Sequence, residues 1–222
     1  MMMMEELDLL QGSDEWFAAR LGIPTASEAD RIITADMVPS KQVDDLRDEL
    51  ISEFYTKEPV AYTISHWMKR GTELEPDARA HAEFHMNRAI YPAGFCVVTD
   101  LASGLEVYGC SPDGRYGERG DYSLGGVEIK CPSPRVHVQY LTANTLPRAY
   151  RPQVMFSMMV TGAPHWDFVS YCPRMPLLHV HVERDDKFIS VLRTLTLQLI
   201  ASRGAVMRQL RANGYEPITT DD

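Results

Sequence analysis

The residues of this chain best placed to do chemistry lie between Cys110 and Pro132, in the stretch CSPDGRYGERGDYSLGGVEIKCP. Val127, Glu128, Ile129 and Lys130 read as a short strand. Side chains alternate along a strand, so Glu128 and Lys130 share one face while Ile129 points the other way, into a core. Asp113 sits in Ser-Pro-Asp-Gly, a turn sequence that ends a preceding strand and is able to return its carboxylate beside Glu128. The intervening Gly114, Gly117, Gly120, Gly125 and Gly126 mark a connector built of turns. Two carboxylates facing one lysine make a hard-cation site. Magnesium takes oxygen ligands and keeps several waters, so Asp113, Glu128 and a backbone carbonyl, that of Ile129, suffice to hold it against a phosphate. Such an ion supplies Lewis acidity for hydrolysis of a phosphodiester, with Mn²⁺ as a substitute. Lys130 is then positioned to orient or deprotonate the attacking water and to steady the charge on phosphorus. On spacing alone a second reading has equal weight: a surface hairpin whose Glu128 and Lys130 form an exposed ion pair worth about 0–1 kcal/mol.

The elements that must hold this site can be followed along the chain. Ser13 is placed to cap a helix running to Arg20 and carrying Trp16 and Phe17. Thr25-Ala-Ser-Glu28 has the form of a capping box, which predicts a second helix from Thr25 to about Ile33 with an anion-attracting N-terminus. The competing assignment makes Thr25 and Ser27 caps only and pairs Arg20 with helix-end carbonyls. Residues 41–57 read as an amphipathic helix with Val43, Leu46, Leu50 and Phe54 inward. From Ser65 to Asn87 a further helical stretch places Glu75 and Arg79 on one side and Leu74, Ala78 and Ala82 on another. Pro76 implies either a fresh start at Thr72, with Thr72 and Glu75 as a capping box, or a kink. Tyr91–Tyr108 supplies one or two strands, and a polar, Pro-rich loop follows the E-x-K strand. A helix with Met155, Phe156, Met158 and Met159 comes next, then strands at Trp166–Tyr171 and Leu177–Val182 and a long helix over 186–212. Two histidine pairs also have metal-like spacing. His81 and His85 lie one helical turn apart without the H-E-x-x-H glutamate, and His179, His181 and Glu183 share a strand face, read as the polar side of a half-buried strand.

Composition bounds the answer. A chain of 222 residues, 45% hydrophobic, suits one soluble α/β domain spanning 1–222. No apolar run approaches the about 20 residues a membrane span requires, and Met1–Met4 leads into Glu5 and Glu6 rather than a signal peptide's basic start. A cytoplasmic protein with no membrane partner is expected. Cys96, Cys110, Cys131 and Cys172 form no C-x-x-C, so reduced, mostly buried thiols are expected rather than disulfides or an iron–sulfur cluster. The net charge of −9 is awkward for a protein that contacts phosphates, which are met by basic surfaces. Residues 115–151 are the exception: Arg115, Arg119, Lys130, Arg135, Arg148 and Arg151 stand against Glu118, Asp121 and Glu128, a local excess of three positive charges. Contact with a polyanion, if made, is confined there.

PD followed at a distance by E-x-K resembles the PD-(D/E)xK nuclease superfamily, and SPDG and EIKCP resemble more narrowly the YqaJ-type viral recombinases, the family of bacteriophage lambda exonuclease. EWFAARLGIPTASE at 15–28, RGTELEPDAR at 70–79, RAYRPQVMFSMMVTG at 148–162, then PRM and ERDDKF, follow in the family's order. Residues 34–66 and the last twenty match poorly. The resemblance implies a mixed α/β fold, a central sheet of about five strands flanked by helices. It also implies a Mg²⁺-dependent 5′→3′ exonuclease on double-stranded DNA, encoded by a phage or prophage, that leaves 3′ single strands for annealing. A ring-shaped homotrimer and a single-strand-annealing recombinase as partner are implied in the same way. Carried over residue by residue, Asp113 and Glu128 would hold metal, Lys130 would act on the water, and Glu75 and Gln153 would support them. Arg20, Ser27 and Ser111, with Thr25 beside them, would hold the 5′-phosphate, and Tyr150 would lie near. The connector between Asp113 and Glu128 is longer than in lambda exonuclease, and the residues before Met68 differ, so loop contacts and strand-splitting contacts stay unassigned. Two alternatives remain: an endonuclease cutting internally or at branched structures, and a catalytically silent DNA-end-binding scaffold.

Overall fold

Alternating apolar side chains build two sheets here, and the Ser111-Pro112-Asp113 turn carries the chain from one to the other. The computed structural model describes residues 1–60 and 66–217. The chain opens with strand β1 (Met2–Leu7), then helix α1 (Asp14–Arg20), a short 3-10 helix (Ala26–Arg31), α2 (Val43–Thr56) and α3 (His66–Met86). Strands β2 (Phe95–Asp100), β3 (Leu105–Cys110), β4 (Gly114–Arg115) and β5 (Gly126–Lys130) follow. Then come α4 (Pro134–Ala143), α5 (Arg151–Thr161), strands β6 (His165–Ser170) and β7 (Leu178–Glu183), and α6 (Asp186–Ala212).

The mixed α/β class stands, but the strands divide differently from the single sheet of about five that was expected. One sheet has the order β1-β2-β3, all antiparallel; the other has the order β4-β5-β6-β7, with β5 and β6 parallel. Strand β1 was not expected, because three methionines followed by two glutamates carry no alternation to betray it. Its register is fixed instead by Glu6, buried between the Gly94 and Gly120 N–H groups at 2.9 and 2.7 Å and paired with Arg115 at 3.3 Å. The parallel β5–β6 pair requires a crossover, supplied by α4 and α5. Helix α4 occupies what the composition suggested was loop. Its signal is Ser133-Pro134: Ser133 Oγ accepts from the Val136 N–H at 3.4 Å, and Pro134 takes a first-turn position where no donor is needed.

The second sheet is enclosed on both faces. Val154, Met155, Phe156, Met158, Met159 and Val160 make α5 apolar nearly all round, and it packs against Trp166 and Phe168, the 3-10 helix and α6. On the opposite face Ala78 and Ala82 of α3 let that helix approach Val127, Ile129 and Val169. Ser65, where this helix was expected to begin, lies outside the described residues. Pro76 falls inside α3 without ending it, so the fresh start at Thr72 does not occur and Glu75 is released from a capping role. Ser13 caps α1 as expected, and the Thr25–Glu28 capping box forms, although the helix behind it is a six-residue 3-10 helix. Gly126 is required by close approach: a Cβ there would come within 2.5 Å of the Trp166 ring. The four cysteines are free, three of them buried.

Candidate active site

Strand β3 ends at Cys110, and Ser111-Pro112-Asp113 turns the chain into β4, which pairs antiparallel with the start of β5. Because β4 stops after two residues, the edge of β5 beyond Val127 is open, and the Asp113 side chain fills it: the Ile129 N–H donates to Asp113 Oδ2 at 2.6 Å. An extended residue presents its N–H and C=O to the same edge, so the Ile129 carbonyl faces the Asp113 side. The Lys130 carbonyl faces the other side and accepts from the Tyr171 N–H at 2.9 Å. Glu128, 1% exposed, lies on the face turned toward α5. Its Oε1 accepts from Lys130 Nζ and, at 2.6 Å, from Gln153 Nε2 on the first turn of α5. The Tyr150 ring centroid is 5.4 Å from Lys130 Nζ. Glu75 reaches the same region from α3, its Oε1 accepting from Arg79 at 2.8 Å.

The electrostatics identify what this group of side chains lacks. Burial pushes the Glu128 carboxyl up to about 7, with Asp113 and Glu75 adding to the rise and Lys130 opposing it. Burial also raises Asp113 and Glu75, the latter further through the charge of Asp113, against the pull of Lys130 and Arg79. Burial acts to lower Lys130, but Glu128 and Asp113 outweigh it and hold the ammonium well above the ordinary lysine value. Three neighbouring carboxyls whose charged forms are disfavoured by burial and by one another, converging with a backbone carbonyl, fit a divalent cation with oxygen preference. Arg79, which tempers both Asp113 and Glu75, was not singled out as a site residue from sequence. Its spacing of four from Glu75 on one helix was the available signal, and its Nε is buried without a hydrogen-bond partner.

The four residues expected at the phosphate also converge. Arg20 donates to Ser111 Oγ at 3.0 Å, Thr25 Oγ1 at 3.2 Å and Ser27 Oγ at 3.1 Å. Trp16 completes the cluster and was missed as a site residue: its Nε1 donates to Ser111 Oγ at 2.9 Å and its ring lies 4.2 Å from the Arg20 guanidinium carbon. A tryptophan in an amphipathic helix reads as core, and only the fold brings it to Ser111. Glu28 anchors the cluster from below, accepting from the Thr25 N–H and Oγ1 at 3.0 and 3.1 Å. Ser111 is two residues from Asp113, so their Cα atoms are at most about 7 Å apart. The positive excess over 115–151 is largely neutralised in place: Arg115 pairs with Glu6, Arg119 with Asp8, Lys130 with Glu128, Arg148 with Asp36 and Arg151 with Asp185. The Arg119 and Arg148 pairs are exposed and so are cheaply exchanged for other anions.

Residues 15–164 match the profile of the YqaJ-like viral recombinase domain. This chain belongs to that family. Among solved structures it is similar to an alkaline exonuclease from Laribacter hongkongensis, with 30% identity, a TM-score of 0.77 and coverage of 91% of this chain and 98% of the other. The same enzyme in complex with dAMP gives 31% identity and a TM-score of 0.76 at the same coverage. A phage-related exonuclease from Haemophilus somnus, 10% identical with a TM-score of 0.62 over 85% of this chain and 96% of that one, shares the fold. No relative was found among curated proteins. The chain is accordingly a DNA nuclease, a hydrolase of the lambda exonuclease type. No helix among the described residues is long and apolar enough to cross a membrane.

Proposed function

We propose that this nuclease is a Mg²⁺-dependent 5′→3′ exonuclease on double-stranded DNA, formed by one domain over residues 1–222, with Mn²⁺ able to replace Mg²⁺. The observation that carries the reading is the position of Ser111. It joins the Arg20 cluster while sitting two residues from Asp113, so a terminal phosphate held by Arg20, Ser27, Thr25 and Ser111 would lie about one nucleotide from the carboxylates. Asp113, Glu128 and the Ile129 carbonyl would hold a divalent cation, which would supply Lewis acidity for phosphodiester hydrolysis. Gln153 fixes Glu128 in the ligating orientation, Glu75 acts through water with Arg79 balancing its charge, and Tyr150 packs beside Lys130. Lys130, on the same strand face as Glu128 and beside both carboxylates, orients or deprotonates the attacking water and stabilises charge on the phosphoryl oxygens.

The product would be a 3′ single strand for recombination by annealing, in the cytoplasm of a bacterial host of phage or prophage. Family likeness supports a ring-shaped homotrimer and a single-strand-annealing partner. The test follows nucleotide release from linear duplexes bearing a 5′-phosphate or a 5′-hydroxyl, with Mg²⁺ or chelator, beside closed circular DNA. Release that needs metal and an end, favours the phosphate and falls about 10²–10³-fold in Lys130→Ala is expected. Cutting of circles would overturn end dependence, and binding of ends without release would make the protein a scaffold.

A further inference from the structure

A cluster of imidazoles lies on the sheet face opposite Glu128 and Lys130. His165 and Asp167 are two apart on β6 and share that face, and the register sets His181 of β7 directly opposite Asp167. Asp167 is level with Val127 and Phe168 with Glu128, so the cluster and the Glu128 carboxylate point away from each other across the sheet. From sequence, His179, His181 and Glu183 read as a polar strand face. His165 and Asp167 join them only through strand register.

One ligating atom from each of His165, Asp167 and His181 lies within 4.8 Å of the others, and the His165 and His181 ring centroids are 4.7 Å apart. The Asp167 side chain is 6% exposed. Its Oδ1 accepts from His179 Nε2 at 2.8 Å and His181 Nδ1 at 3.0 Å, and its Oδ2 from the Tyr116 hydroxyl at 2.7 Å. Burial alone would raise this carboxyl, but those hydrogen bonds outweigh it and hold it at about 2, so it is an anion at any working pH. A buried carboxylate answered by imidazoles and a phenol has the nitrogen and oxygen donors that zinc-class ions prefer, in a three-ligand set that leaves one position for solvent. His181 is half-exposed and opens the site to solvent, with Glu183 Oε1 3.3 Å from its Nε2. Tyr116 and His179 hold the carboxylate in place, the part that outer hydrogen bonds play around metal ligands.

We propose that His165, Asp167 and His181 bind one zinc-class transition-metal ion, distinct from the catalytic cation, that ties the edge strand β7 to β6. The His85 ring stands 5.6 Å from that of His179, so the ion also stiffens the sheet beneath the C-terminal end of α3, the helix that carries Glu75 and Arg79. The test uses the full chain stripped of metal, with millimolar Mg²⁺ present to occupy the hard-cation site, titrated with Co²⁺ and followed by visible absorption and melting temperature. One equivalent with a d–d band and a raised melting temperature is expected. Both should vanish in His181→Ala, persist in Asp113→Asn, and need about 10–100-fold more Co²⁺ in His179→Ala. His165→Ala supplies a second ligand deletion, and circular dichroism checks that each variant is folded. No uptake by the parent protein, an unchanged band in folded His181→Ala and His165→Ala, or a band lost in Asp113→Asn would each reduce the cluster to a hydrogen-bonded network.

Discussion

Glu128→Gln in the metal-free protein separates the cost of burying this carboxylate from everything else in the fold. The folded value of about 7 lies above the ordinary 4.5, so between those pH values the native state holds a proton that the unfolded chain releases. Stability from this proton is fully present below about pH 4.5 and is lost as pH rises through about 7. At 1.36 kcal/mol per pH unit, the window corresponds to about 3 kcal/mol, which for a chain of this size is roughly 6–12 °C in melting temperature. Glutamine keeps an oxygen to accept from Lys130 and Gln153 and has nothing to titrate. The assay is chelated thermal or urea unfolding of both proteins at pH 4 and pH 8. The wild type should lose about 3 kcal/mol relative to the variant across that span. Mg²⁺ should restore the wild type more at pH 8 than at pH 5.5, because ligation needs the ionised carboxylate. Parallel pH profiles for the two proteins, or equal rescue at both pH values, would refute the account of Glu128 as a buried carboxylate awaiting a cation.

Three further outcomes follow from particular contacts. Arg20→Lys leaves a charge but removes the planar donor that reaches Ser111, Thr25 and Ser27 together, so the rate preference for a 5′-phosphate over a 5′-hydroxyl should fall by roughly 10–100-fold; retention of the preference in competition kinetics would exclude Arg20 as the anchor. Gln153→Ala frees Glu128 from its 2.6 Å donor and should lower kcat by about 10–100-fold with KM for DNA unchanged, whereas a change in KM alone would make Gln153 a DNA contact. Gly126→Ala drives a methyl into the Trp166 ring and should cost about 1–3 kcal/mol of unfolding free energy without altering cleavage per folded molecule, as denaturant titration would read.

Local chemistry made much of the site legible before any coordinates. Asp113 in its turn, Glu128 and Lys130 on one strand face, and the Thr25–Glu28 box are all set within a few residues, and each forms as the spacing indicates. Contacts across long separations were not legible from residue patterns. Trp16 meets Ser111 across 95 positions, and a helical tryptophan carries no mark that distinguishes this from core packing. Strand β1 was hidden because Met2-Met3-Met4-Glu5-Glu6 has no apolar–polar alternation, and its position depends on Glu6 reaching Arg115 and Gly120. Helix α4 was hidden by the prolines around it, although Ser133-Pro134 is a start signal once proline is read as a first-turn residue. The basic stretch over 115–151 misled in the opposite sense. Its charges are real, but most of their partners, Glu6, Asp8, Asp36 and Asp185, come from outside the stretch, so a local count could not see the pairing.

The tripeptide Ser111-Pro112-Asp113 makes end recognition and hydrolysis hard to separate. Ser111 Oγ is held by Trp16 and Arg20, and Asp113 Oδ2 by the Ile129 N–H; Pro112 between them removes one backbone torsion from play. If the Arg20 cluster anchors the terminal phosphate, the distance from that anchor to the carboxylates is set by three stiff residues, and the next phosphodiester arrives at the cation site already in register. Binding energy from the terminal phosphate would then be expressed in positioning rather than in affinity alone. It follows that Arg20→Ala should lower kcat and not only raise KM on 5′-phosphorylated ends, and that a 5′-hydroxyl substrate should show the same kcat deficit with the unaltered protein. Single-turnover rates at saturating enzyme separate the two effects. A loss confined to KM would mean that the anchor and the cleavage centre act independently despite the short link between them.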